Sequence, residues 1–266
     1  MAMSDRIESA KPLEREAAIT AGGQSLDERR PRDLRTLRRR AFVISIVLGP
    51  LAVGIVRATV PAVNPHSGQV AIAAVVANPD MARISIVAGV VASLFLPFAV
   101  VGLTRLVMRR APVLALLGGA LALVGWAMVP ALVMRDAMTY AMAYSGANPV
   151  QLSALWDQVN GNTAVSLLSI AFIVGHELGT LLLGIGLARA RVVPLWTAAA
   201  VVIGMLLHPV AFVLGNRFLD ILAFALLVVG CVAAARAVLI TPNDAWDLSP
   251  LSVRGATRTE VSTRRG

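Results

Sequence analysis

The chain has 266 residues, of which 57% are hydrophobic and only 15% are charged, whereas a soluble domain carries about a quarter charged residues. This composition excludes an ordinary soluble protein and predicts membrane-embedded helices, because only these let so short a chain cover that much apolar surface. The net charge of +9 would suit a nucleic-acid-binding protein, but no predicted folded segment carries a basic surface, so we expect no nucleic-acid partner.

Residues 1–40 are polar and mixed in charge, which predicts a disordered cytoplasmic tail. The tail becomes strongly basic at its end, where Arg38, Arg39 and Arg40 immediately precede the first apolar run. We interpret these arginines as a topology signal, with binding of anionic lipid headgroups as the alternative.

Six apolar segments have the length of about 20 residues that a helix needs to cross a bilayer. They are residues 41–60, 84–104, 111–134, 164–188, 192–215 and 218–240. The sequence therefore predicts an all-α fold, a polytopic transmembrane bundle over residues 41–240, followed by a disordered cytoplasmic tail over residues 241–266.

Two shorter segments lie between the predicted spans. The apolar patch Val70–Ala77 is too short to cross a membrane. Asn148-Pro149 is a helix start signal, and the residues after it place Trp156 on an apolar face, which predicts a short amphipathic helix on the membrane surface. We also place Trp156 and Trp246 among the aromatic residues at the membrane boundaries.

Arginine placement predicts the orientation of the chain. With the amino terminus inside, every Lys and Arg except four lies in an inner segment, which is 20 of 24, and Arg109 and Arg110 form part of an inner loop. The four exceptions are Arg57, Arg83, Arg135 and Arg217, and we expect Arg57 and Arg135 to reach towards the outer interface. Arginine outnumbers lysine 23 to 1, which we interpret as GC-rich bacterial coding. We therefore predict a multi-pass protein of the bacterial plasma (inner) membrane with both termini cytoplasmic.

Three ionisable residues stand in the middle of apolar spans. His176 and Glu177 lie within the fourth span and His208 within the fifth. A charge near the bilayer centre costs about 2.5–3.5 kcal/mol, so Glu177 should face the bundle interior, either neutral or paired with a histidine. Counted from the hairpin tip at residues 190–191, the depths of the two histidines differ by only about 4–5 Å, so we expect His208 to contact the His176–Glu177 pair.

Small and polar residues surround this predicted cluster. Ser169 and Thr180 share the helical stripe of Glu177. Gly175 and Gly179 form a Gly-x-x-x-Gly step on the adjacent stripe, and Gly204 shares the face of His208, so we predict close helix packing at all three glycines.

Several functions fit this cluster. Our leading hypothesis is a structural or interaction role, in which the polar groups clamp two helices together. The alternative is a small-solute or proton-coupled transporter that uses Glu177 with His176 and His208. We expect no catalytic residue, no metal and no cofactor. The His-Glu-x-x-His zinc motif is excluded because Thr180 stands where its second histidine would be. Haem ligation by His176 and His208 is a minor alternative, weakened by their unequal depth.

The chain shares three features with a broad class of proteins: the number of spans, the long second outer loop with its Trp156 helix, and the polar fourth span containing Gly175-His176-Glu177. In these features it resembles the six-span integral membrane proteins of bacteria that are catalogued as domains of unknown function. The resemblance covers residues 41–240 and implies the membrane bundle, with no established activity to carry over.

Overall fold

A bundle of long helices makes up the part of the chain that the computed structural model describes, residues 33–246, where no residue lies in a strand. Ten helices occur in this range: α1 Arg35–Thr59, α2 Gly68–Ala77, α3 Pro79–Met108, α4 Pro112–Trp126, α5 Val129–Ala143, α6 Pro149–Asn160, α7 Thr163–Ala190, α8 Leu195–Val213, α9 Arg217–Ile240 and α10 Asn243–Trp246. Six segments are long and apolar enough to span a membrane, namely α1, α3, α4 together with α5, α7, α8 and α9.

The third span differs from its prediction because it consists of two helices. It runs from Pro112 to Ala143, nine residues beyond the predicted end, and the helix is interrupted between α4 and α5. Pro130 lies directly after the interruption and has no N–H to donate to the carbonyl of Trp126, which explains why the chain breaks there. The other five spans lie within a few residues of their predicted bounds, apart from earlier starts in α1 and α3.

Helix α1 begins at Arg35, six residues before the predicted start of the first span at residue 41. The first turns are fixed by polar contacts with the end of the described chain, where Arg35 pairs with Asp244 and Arg39 donates to the carbonyl of Thr241. The remaining tail predictions, for residues 1–32 and 247–266, lie outside the described residues.

Arg110 forms a similar contact with the end of another helix. Nη1 of Arg110 donates to the carbonyl of Ala190 at 3.0 Å, which joins the loop after α3 to the end of α7. Two of the arginines assigned to the topology signal or to lipid headgroups, Arg39 and Arg110, therefore donate to backbone carbonyls at helix ends. Both roles stay predictions for Arg38, Arg40 and Arg109.

Helices α2 and α6 pack together over one end of the bundle, which we call the loop face. The backbone N–H of Gly68 donates to Asp157 at 2.8 Å, and the indole of Trp156 donates to Thr139 at 3.1 Å. Trp156 is only 7% exposed, so its side chain packs inside the protein at this end of the bundle. Trp246 is likewise buried, against Phe42. Their place at the membrane boundaries stays a prediction. The predicted helix of α6 is present, capped by the side chain of Asn148.

The opposite end, which we call the terminal face, holds the start of α1 and the end of α9. Apolar side chains of α3, α7 and α9 fill the bundle there, since Val107, Leu187 and Val238 are all almost completely buried. This half of the bundle is therefore closed, and the space inside the molecule lies towards the loop face.

Glycines bring neighbouring helices into backbone contact. A Cβ at Gly175 would lie 2.6 Å from the backbone nitrogen of Gly125, and one at Gly179 would overlap the backbone of Ala122. A Cβ at Gly204 would lie 2.5 Å from the carbonyl oxygen of Ala223. Helix α7 therefore lies tightly against α4, and α8 lies tightly against α9.

We expect Gly179→Ala to destabilise the bundle, because the added methyl group meets backbone atoms that cannot move aside. The loss should be about 1–3 kcal/mol in the free energy of unfolding, as for other overpacked interiors. Gly54→Ala is the matched control, since its Cβ would meet nothing nearer than 3.7 Å. Unfolding of the purified protein in denaturing detergent, followed by circular dichroism, measures both variants. Equal stabilities would contradict this account of the α4–α7 contact.

Candidate functional site

His176 projects from the middle of α7 and is 2% exposed as a side chain. Its Nδ1 lies 2.6 Å from the carbonyl oxygen of Phe172. A carbonyl can only accept, so Nδ1 carries the hydrogen and, in the neutral ring, Nε2 carries the lone pair. The ring stacks on Phe172 at 4.1 Å and meets the edge of Trp126, with centroids 5.0 Å apart. These contacts fix the ring and leave Nε2 as the nitrogen that is available to bind a proton or a cation.

His208 is oriented by a buried carboxylate on the next helix. Its Nδ1 lies 2.6 Å from Oδ1 of Asp220, which is completely buried at the start of α9. The other oxygen of Asp220 accepts from Nε of Arg57 at 2.6 Å and lies 2.5 Å from Nη2. Because the arginine keeps Asp220 ionised, the carboxylate accepts from His208 and Nε2 again carries the lone pair.

Glu177 joins the two histidines. Its Oε1 lies 3.2 Å from Nε2 of His176 and 3.7 Å from Nε2 of His208, so the contact that the sequence predicts between His208 and the pair is present. The three facing atoms are all acceptors when the rings are neutral and the carboxylate is charged. Acceptors this close repel one another, so the site favours a proton or a cation between them.

A cavity of about 740 Å³ leads from the loop face to this cluster. Its lining includes His176, Glu177 and His208 in the middle of the bundle, and Asn64 and His66 at the loop face. All three histidines of the chain thus line one cavity. Glu177, with a side chain 14% exposed, is therefore reachable from the loop face.

The residues predicted around Glu177 divide between two sides of α7. Ser169 lines the cavity, and its hydroxyl donates to the carbonyl of Val165 at 2.9 Å. Thr180 is buried on the side of α4 and accepts from the indole of Trp126 at 3.1 Å. Thr180 therefore supports the wall behind His176 and does not line the cavity.

Three contributing residues were missed by sequence reasoning: Arg57, Trp126 and Asp220. Arg57 was expected to reach towards the interface, and that expectation is wrong because its guanidinium turns inward to Asp220. The position of Asp220 could have been predicted by counting residues to the turn at Gly215. Asp220 stands five residues after Gly215 and His208 stands seven residues before it, which places the two side chains at similar depth in a helical hairpin.

The same geometry bears on metal and haem binding. Within the described chain, one ligand atom from each of His176, Glu177 and His208 lies within 4.8 Å of the others, a spacing that suits a single metal ion. The sequence pattern concealed this set because the second histidine comes from α8. Haem fits less well, because the carboxylate of Glu177 lies beside both Nε2 atoms, where the macrocycle would pass.

Comparison of the chain with protein-family models, with curated proteins and with solved structures gave no match. The resemblance to six-span proteins of unknown function therefore stays a prediction.

The Arg57–Asp220 pair generates a stability prediction. Arg57→Met leaves a buried carboxylate without its cation, and we expect a loss of about 3 kcal/mol in the free energy of unfolding. Arg83→Met is the matched control, because Arg83 pairs with Asp80 on the exposed surface and should contribute little. Thermal or detergent unfolding of both variants measures the difference. Similar losses in the two variants would show that the buried pair is not specially stabilising.

Proposed function

We propose that this protein is a transporter that couples the movement of a small solute to protons at Glu177, His176 and His208. The observation that carries the proposal is the cavity of about 740 Å³, which links the loop face to the half-buried carboxylate of Glu177 in mid-bundle. Ionisable groups within a membrane bundle that face a water-accessible cavity are the usual components of proton and ion pathways.

The polar contacts around the cavity end form a chain along which a proton can be held. Glu177 faces His208, whose other ring nitrogen faces Asp220, and Asp220 is held by Arg57. Imidazole can take a proton on one nitrogen while releasing one from the other. Protonation of either histidine would remove the repulsion between the acceptors.

The interruption between α4 and α5 supports a transport role. Transporters place their binding sites beside discontinuous helices, whose broken backbone can rearrange during alternating access. Here the break follows Trp126, which lines the cavity and contacts the ring of His176. A shift of α5 relative to α4 would therefore reach the site directly.

A purely structural clamp, our leading hypothesis from sequence, stays untested but explains less. A clamp between α7 and α8 would use its polar atoms in direct hydrogen bonds and would need no cavity. The buried Nε2 of His176 instead lacks a hydrogen-bond partner. A group left unsatisfied in this way lowers stability, which favours a role in binding.

We further propose that the cavity opens to the outside of a bacterial plasma membrane, with both chain ends cytoplasmic. The support is the arginine distribution, since 20 of the 24 basic residues lie on the terminal-face side of the predicted topology. A solute would then enter from the external medium through the loop face.

Single-cysteine labelling of intact bacterial cells tests this orientation. The natural cysteine, Cys231, is buried and should give little background. We expect Gln69→Cys, at the exposed start of α2, to react with a membrane-impermeant maleimide. Arg109→Cys, exposed on the terminal face, should react only after the cells are opened. The reverse pattern would invert the topology.

Glu177→Gln tests the transport proposal. The amide keeps the shape of the carboxylate but cannot exchange a proton, so proton flux driven by solute should fall to the level of empty vesicles. Proteoliposomes containing a pH-sensitive dye, challenged with amino acids, sugars, organic cations and divalent metal salts, provide the measurement.

Asp80→Asn is the control, because Asp80 is exposed at the start of α3 and does not line the cavity. It should keep the flux of the unmodified protein. The transport proposal is wrong if Glu177→Gln folds normally and retains full flux. It is also wrong if no solute in the panel drives proton flux through the unmodified protein.

A further inference from the structure

We infer that the solute recognised at this site is a divalent transition-metal cation, bound by Nε2 of His176, Oε1 of Glu177 and Nε2 of His208. The inference deepens the proposed function and rests on it for the role of the cation as cargo. The binding site itself stands on the geometry of the three side chains.

The first support is that Nδ1 of each histidine already makes a hydrogen bond. Nδ1 of His176 donates to a backbone carbonyl, and Nδ1 of His208 donates to Asp220. In metalloproteins, a ligating histidine almost always donates its second ring nitrogen to a carbonyl or a carboxylate, which fixes the ring and strengthens the ligand. Both of these outer partners are present before any ion binds.

The second support is the unsatisfied nitrogen. Nε2 of His176 is buried and has no hydrogen-bond partner, although the carboxylate oxygen of Glu177 lies 3.2 Å away. Two acceptors pointing at each other gain nothing unless a cation binds both. The nitrogen is aimed at the place where such a cation would lie.

The third support is the spacing of the ligand atoms. Tetrahedral zinc with bonds of about 2.0–2.1 Å holds its ligand atoms about 3.3 Å apart. The distances from Oε1 of Glu177 to the two nitrogens are 3.2 Å and 3.7 Å, and all three atoms lie within 4.8 Å of one another. Small rotations of the side chains complete the set, and the cavity side is left for water as the fourth ligand.

The donor types select the class of cation. Two imidazoles and one carboxylate suit zinc and its first-row neighbours, whereas calcium and magnesium require sets of oxygen ligands. The single negative charge of Glu177 offsets half of the cation charge, while the Arg57–Asp220 pair beside it is neutral overall. A cation held in this way is only partly neutralised, which suits binding that can be reversed.

The same atoms cannot hold a proton and a metal ion together. Metal binding requires neutral imidazole and ionised carboxylate, so it releases any protons bound there. Each cation that enters would displace protons from His176, His208 or Glu177. The cavity would therefore exchange protons for a divalent cation.

Equilibrium dialysis of the purified, detergent-solubilised full chain against zinc chloride, with zinc measured by mass spectrometry, tests the inference. We expect one zinc ion per chain. Glu177→Gln removes the charged ligand and His208→Asn removes an imidazole ligand, so each should weaken binding by more than the roughly 10–100-fold that loss of a ligand's hydrogen-bond partner causes. Asp220→Asn should weaken it within that smaller range.

His66→Asn is the matched control. It removes the third histidine of the chain, which lines the cavity near the loop face and lies outside the ligand set, so zinc affinity should not change. Circular dichroism checks that each variant is folded.

The inference is overturned if the unmodified protein binds no zinc. It is also overturned if Glu177→Gln and His208→Asn are folded and bind zinc as the unmodified protein does. Proton flux in proteoliposomes separates this result from failure of the transport proposal. Flux driven by another solute without zinc binding overturns the metal site alone, whereas zinc binding without flux driven by any solute supports the site and overturns transport.

Discussion

Three acceptor atoms meeting inside an apolar bundle form the constraint on which the site depends. The histidine rings cannot relieve their repulsion by turning over, because each Nδ1–H is already held, by Phe172 in one case and by Asp220 in the other. The bundle interior screens the charge of Glu177 poorly, so its repulsion with the two nitrogens is stronger than it would be in water. A proton or a cation between the three atoms would relieve this repulsion, and the cavity reaches the cluster from the loop face.

The glycine contacts explain how an open cavity can exist in a stable bundle. Gly175 and Gly179 let α7 lie against the backbone of α4, and Gly204 does the same for α8 against α9. Two tight helix pairs result, and close packing within each pair is what stabilises helices in a membrane. Towards the loop face, the space between the pairs can stay open without loss of those contacts. Towards the terminal face, larger apolar side chains such as Leu187 fill it.

Much of this architecture could be predicted from the sequence, because hydropathy and length report directly on membrane spans. The contact between His208 and Glu177 was also predictable, since depth in a helical hairpin follows from counting residues to its tip. The two-helix third span was not predicted, although Pro130 gives a local reason for it. Asp220 was missed because it lies near the start of its span, where a charged residue is ordinarily explained by the membrane interface.

The proposed metal-ligand set illustrates a more general limit of linear motifs. A zinc motif on one helix requires its histidines one turn apart, and Thr180 removes that pattern from α7. The structure supplies the second imidazole from α8 instead, and Thr180 accepts a hydrogen bond from Trp126 behind the ring of His176. When the ligands come from two helices, the geometry of the site depends on the relative position of those helices, which is not so for a motif on a single helix. In the proposed metal site, a movement of α8 relative to α7 would separate His208 from the other two ligands and so lower the affinity for the cation.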